Sequence, residues 1–263
     1  MIRKHFIIIF FLIILTKYHV FAQSVDLFDV LQLRDGTLAI TSYKGNENHI
    51  VFPAKLFGLN VSEIRLNVYN TERVIKSFVI EYGIKKIASR SFSNDTSIII
   101  YSFTDIILPD SILEIGDGAF YQSLSTDKNV NLKFSNNLKR IGARAFSGWM
   151  RGNFLGTINV NSIILPNSLE YVGTNAFENL DIKYLKIQNA FKVDNYTVFR
   201  NSIISCIEIC ANLSDEWLNY VFSDKGFVNF YISQGRRANI YLYNGKIWTI
   251  GTRQDVERIL SEK

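Results

Sequence analysis

The stretch IILPDSILEIGDGAF, Ile106 to Phe120, returns as IILPNSLEYVGTNAF, Ile163 to Phe177, and a looser copy, FSNNLKRIGARAF, lies between them at 134–146. A catalytic site needs its special residues once. A recurring pattern of Ile, Leu, Gly, Ala and Phe instead describes a structural unit that stacks on copies of itself. Aligned on the closing Ala-Phe or Ser-Phe pair, a fourth copy, FVIEYGIKKIASRSF, ends at Phe92. Partial copies flank this core: IVFPAKLFGLNVSEI from Ile50, LKIQNAFKV from Leu185 and IEIC from Ile207. Phe92, Phe120, Phe146 and Phe177 stand 26 to 31 residues apart, a period that belongs to solenoids.

The spacing inside one unit assigns each side chain a direction. In a three-residue strand the first and third side chains share a face, so Ile106 and Leu108 point inward and Ile107 outward. Pro109 ends the strand. Ile112 and Ile115 turn back to the interior, Gly116 permits close backbone approach, and Ala119 with Phe120 fills the space beneath the strand. Burying a Phe contributes about 1.5 to 3 kcal/mol, but one unit leaves its own edges uncovered, so stacking is obligatory.

These phrases resemble the BspA-type bacterial leucine-rich repeats, in which I-x-x-I-G-x-x-A-F follows an I-x-I-P strand. The motif is carried by Ile115, Gly116, Ala119 and Phe120, by Ile141, Gly142, Ala145 and Phe146, and by Val172, Gly173, Ala176 and Phe177. GTLAITSYKGNENHIVFPAKLFGLNVSEI also resembles the lead-in unit of secreted members. Ala88 stands where the Gly belongs, and Ser135 replaces the strand-ending Pro. The resemblance implies a leucine-rich-repeat solenoid with short parallel β-strands on one face and turns and short helices on the other. It also implies a cell-surface or secreted protein that binds other proteins, in the manner of an adhesin.

The strand phase names the outward stripe of such a solenoid, one residue per coil: Val51, Val79, Ile107, Lys133, Ile164, Lys186 and Glu208. Apolar residues dominate its N-terminal end and charged ones follow. Lys133 and Lys186 form a basic pair suited to an acidic patch on a protein partner. β-Branched residues in such a row equally serve strand formation.

MIRKH, FIIIFFLIIL and TKYHVFA make the basic, apolar and polar parts of a secretory signal peptide over residues 1–22, with a cut expected after Ala22. The apolar run is too short for a membrane span. Losing Arg3, Lys4 and Lys17 takes the formal charge from +5 to +2. The remaining basic residues are scattered among acidic ones, which argues against nucleic acid as a partner. The expected location is secreted, cell-surface or periplasmic. Cys206 and Cys210, in SCIEICA, read as strand residues too far apart for a disulfide.

The expected organisation is a signal peptide (1–22), a lead-in segment (23–50), the solenoid (51–210) and a helix-hairpin-helix cap of mixed α/β structure (211–263). In the cap, Phe227, Phe230 and Tyr231 lie at helical spacing, with Ser223 or Asp224 as start and Gly235 as stop. NIYLYNGKIWTI holds Asn244-Gly245 between alternating residues, a hairpin signal. Thr252 with Asp255 resembles a capping box opening a terminal helix.

No sequence feature points to catalysis, a metal or a cofactor. After signal cleavage only His49 remains of three histidines, and GNENHIVF reads as a solvated turn around it. Gly116-Asp117-Gly118 lacks the later Gly of a dinucleotide fingerprint. The expected function is therefore non-enzymatic protein binding. The alternative is glycan binding at the hairpin. With a two-residue loop, Tyr241 pairs with Trp248 and Leu242 with Ile247, so Tyr241, Tyr243 and Trp248 share a face that either stacks on sugars or packs against Phe230 and Tyr231.

Overall fold

A computed structural model describes residues 25–66, 74–94, 100–148, 158–194 and 196–262. The expected signal segment lies outside them. Ile106, Leu108, Ile112, Ile115, Ala119 and Phe120 are all buried, as are their counterparts in the coils ending at Phe146 and Phe177. The phenyl rings stack from coil to coil. Centroids are 5.1 Å apart for Phe92 and Phe120, 5.1 Å for Phe120 and Phe146, and 5.5 Å for Phe146 and Phe177. The ladder continues through Phe199 at 5.3 Å to Phe222 at 5.8 Å. These last two rungs lack the Gly-x-x-Ala-Phe phrase and close shorter coils of 22 and 23 residues.

The expected strand face is a parallel ladder. Strands Asp105–Ile107, Val130–Lys133, Ile158–Leu165, Leu180–Ile187 and Cys206–Ile209 lie side by side. His49–Phe52 and Ser77–Ile80 form a separate parallel pair nearer the N-terminus. Ser135 takes over the turn made elsewhere by proline. Leu138 N–H donates to its carbonyl at 3.2 Å, as Ile112 does to Pro109 and Leu169 to Pro166 at 3.0 and 3.1 Å.

The opposite side differs from expectation. Among the described residues between 51 and 210 there is no helix; two-residue strands such as Lys86–Ile87, Glu114–Ile115, Arg140–Ile141 and Tyr171–Val172 build a second parallel sheet. The Ile-Gly step explains it. Gly142 N–H donates to Ile115 carbonyl at 2.8 Å, and a Cβ on Gly142 would lie 2.4 Å from Asp117 N. Backbones this close satisfy one another's polar groups between coils, so helical bonds within a coil are not needed.

Both ends are covered. Phe28–Gln32 and Leu38–Tyr43 form an antiparallel pair over the first coils, with the Phe28 ring 6.2 Å from Phe52. At the other end stand helices Asp215–Val221 and Lys225–Ser233, the hairpin Asn239–Tyr243 with Trp248–Ile250, and the terminal helix Arg253–Ser261. Asp224 caps the second helix, accepting from Gly226 and Phe227 N–H, and Gly235 follows it at φ +71°. Thr252 and Asp255 form a complete capping box on the terminal helix.

Candidate interaction face

The strand phase holds over most of the stripe. Val79 is 45% exposed, Ile107 58% and Ile164 46%, and Lys133 is exposed between them. Beside this row runs a polar one, where Asn131 Nδ2 donates to Asp105 Oδ1 at 2.8 Å and Asn161 Nδ2 to Asn131 Oδ1 at 2.8 Å. His49 opens a strand instead of lying in a turn, and its Nδ1 sits 2.8 Å from Ser77 Oγ.

Three stripe positions depart from the sequence expectation. Val51, next to Val79 in the strand pair, is buried. Lys186 and Glu208 pair across adjacent strands, with Nζ and Oε1 3.1 Å apart. Glu208 is further held by Arg253, whose Nη1 and Nη2 donate to its two carboxylate oxygens at 2.5 and 2.8 Å, and by the Tyr184 hydroxyl. Lys186 is therefore no partner for Lys133 in a free basic pair; its charge is neutralised within the chain.

The terminal helix causes this closure. Val256 packs with Tyr184, Cys206 and Ile240, while Leu242 and Ile259 border the same cluster. This small apolar core lies on the outward side of the sheet, separate from the main one. Burial raises the Glu208 carboxyl, but hydrogen bonds from Arg253, Tyr184 and Lys186 outweigh it and hold the group below the ordinary carboxylate range. Burial pushes the Cys206 thiol up to about 12, and both cysteines are free. The capping box announced this helix. Its apolar pair at Val256 and Ile259 was the remaining signal that it needed a surface to cover.

The hairpin register also differs. Tyr243 pairs with Trp248 and Tyr241 with Ile250, because Asn244 Oδ1 accepts from Lys246 and Ile247 N–H and holds both residues in a four-residue turn. The shared face is as expected, but it packs inward. Tyr241 is fully buried, with ring centroids 5.8, 6.0 and 5.7 Å from Phe227, Phe230 and Tyr231. Trp248 lies 4.9 Å from Phe227 and is buried, leaving only Tyr243 partly exposed.

The second sheet presents charges that are already matched. Glu114 lies between Lys86 at 3.4 Å and Arg140 at 3.9 Å, and Arg140 stacks over the Tyr171 ring at 4.1 Å. Tyr171 in turn donates to Asp194 at 2.5 Å.

Three solved structures are similar to this chain. A leucine-rich repeat protein of T. pallidum shares 21% identity over 69% of this chain and 85% of its own, with a TM-score of 0.39. The pneumococcal vaccine antigen PcpA shares 15% over 72% of this chain and 50% of its own, with a TM-score of 0.34. A leucine-rich cell surface protein of Faecalibacterium prausnitzii shares 15% over 72% and 76%, with a TM-score of 0.20. No curated protein matches the sequence. No described helix is long and apolar enough to cross a membrane. The BspA type leucine rich repeat region matches residues 62–151 and 150–245 in six copies, and, consistent with its stacked Phe coils and paired strand ladders, the chain belongs to that family.

Proposed function

We propose that the chain is an exported, non-enzymatic interaction protein that holds a protein partner on the strand face, at Val79, Ile107, Lys133 and Ile164. The carrying observation is the contrast between its two sheets. On the second sheet, outward charges satisfy one another through Lys86, Glu114, Arg140 and Tyr171. On the strand face, β-branched side chains lie half exposed, and covering them gains about 25 cal/mol per Å² of apolar surface. Solenoids of stacked repeats use such extended surfaces for binding. The tripartite N-terminus supports export to a surface, extracellular or periplasmic location.

A photo-crosslinking amino acid placed at Ile107, and separately at Glu114 on the other sheet, tests the reading. A single partner captured from Ile107 and not from Glu114 supports it. Equal capture from both faces, or capture from Glu114 alone, rejects it. The glycan reading at Tyr241, Tyr243 and Trp248 is the alternative, and the burial of Tyr241 and Trp248 leaves it without a stacking platform.

A further inference from the structure

The strand Ile203–Ile204 bends at Ser205 and resumes as Cys206–Ile209. On the inner side both parts pair with Leu180–Ile187. On the outer side only the second part is covered. The hairpin strand Asn239–Tyr243 runs antiparallel along Cys206–Ile209, Tyr243 N–H reaches the Ser205 carbonyl at 2.9 Å, and the chain then turns away through Asn244–Ile247. One more step of that register would put a residue opposite Ile204. Among the described residues no strand stands there. Ser205 N–H donates to the Ile182 carbonyl at 2.9 Å, so the alternation of a parallel ladder turns the Ile204 N–H and carbonyl toward the vacant side.

Beside this edge lies a cavity of about 260 Å³, floored by Phe199, Ile204, Ile207, Phe222, Phe227 and Trp248. Ile203, 51% exposed, stands at its rim. Three polar side chains of the wall are already bonded. Trp248 Nε1 donates to Asp224 Oδ2 at 3.0 Å, Ser223 Oγ to the Phe199 carbonyl at 3.2 Å, and Ser202 Oγ to the Phe177 carbonyl at 2.6 Å.

We propose that this vacant rung binds an extended segment of another polypeptide, which continues the hairpin's edge pairing past its turn and seats one aliphatic side chain of Leu size in the cavity. The Ile204 main chain supplies orientation and the apolar floor supplies selectivity, the division of labour in strand addition. A sugar is disfavoured, because its hydroxyls would lose water against the apolar floor. The site lies at the end of the sheet and is independent of the Val79–Ile164 stripe.

The test is a titration of the full chain with the blocked pentapeptide Ac-Thr-Ala-Leu-Ala-Thr-NH₂, following the Ile204 amide and the Trp248 indole N–H by NMR. Both signals should move at millimolar peptide. Replacing the central Leu of the peptide by Ser should weaken the effect about tenfold or more, the loss of one buried aliphatic side chain. Ser223→Phe, on the exposed rim, should abolish it while leaving the remaining amide pattern in place, and Lys133→Glu should not change it. Should Ser223→Phe fail to fold, the Leu and Ser peptides on the unmodified chain decide. The proposal is overturned if the Leu peptide moves neither signal, if the Ser peptide acts equally, or if maltohexaose moves them and the Leu peptide does not.

Discussion

Phe146 stands between Phe120 and Phe177, its ring nearly parallel to both at 11° and 5°. Each such ring is clamped between the rings of the coils before and after it, and Phe134 packs on Phe146 at 5.4 Å, so truncation leaves a hole the neighbours cannot fill without shifting the stack. Phe120→Ala, Phe146→Ala and Phe177→Ala should each cost about 3 to 5 kcal/mol in denaturant unfolding. Loss of less than about 1 kcal/mol at Phe146 would contradict the ladder's role. Gly142 works by absence. A methyl there would meet Asp117 N and the Gly116 carbonyl carbon at 2.4 and 2.5 Å, and both are backbone atoms that cannot rotate away. Gly142→Ala should therefore destabilise by about 1 to 3 kcal/mol, the usual range for overpacking. The position two before each Phe adopts left-handed backbone, at Arg90, Gly118, Arg144 and Asn175, with φ from +53° to +60°. Only one of these is Gly, so stacking enforces a conformation that the other residues disfavour on their own.

At the scale of the element, the terminal helix is held by an exposed arginine, a depressed carboxylate and a small apolar cluster. Glu208 titrates below its ordinary value when folded, so its contribution is complete above the unfolded carboxylate range and disappears as pH falls through the depressed folded value. Hydrogen-exchange protection of the Val256 and Ile259 amides, corrected for intrinsic rates, should fall over that acidic window while Phe146 stays protected. Glu208→Gln should already show the weakened protection at neutral pH and flatten its dependence on acid. Cys206 gives a second readout, because its thiol is buried beneath the helix. In a Cys210→Ser background it should react slowly with Ellman's reagent, and Val256→Asp should expose it without lowering the unfolding midpoint of the Phe ladder.

For the whole molecule, one sheet carries matched charges while the other leaves β-branched side chains half exposed. Lys133→Glu changes one exposed side chain in the middle of the strand face, so folding should shift by about 0.5 kcal/mol or less. Affinity for the partner crosslinked from Ile107 should nevertheless fall at least about tenfold, since a reversed charge within an interface costs more than its removal. Unchanged affinity in a folded Lys133→Glu chain would place the partner elsewhere. Lys186→Glu is a different experiment. It sets a second carboxylate beside Glu208 and should loosen the terminal helix before it affects any partner.

The repeats of Ile, Gly, Ala and Phe fixed the coil, its inward and outward sides and the stacking of coils, because strand alternation and the close approach at Gly act within a few residues. Asp224, Gly235 and the Thr252–Asp255 box were legible for the same reason: caps are local hydrogen bonds. The second sheet, the Phe199 and Phe222 rungs, the hairpin register and the terminal helix lying across Tyr184 and Cys206 were not. Each depends on what a residue meets after the chain has closed on itself, and Arg253 meets Glu208 from 45 positions away. The sequence determined by itself which side chains each coil hides; the tertiary structure decided which outward side chains stay uncovered, because that depends on where the chain's last helix comes to rest.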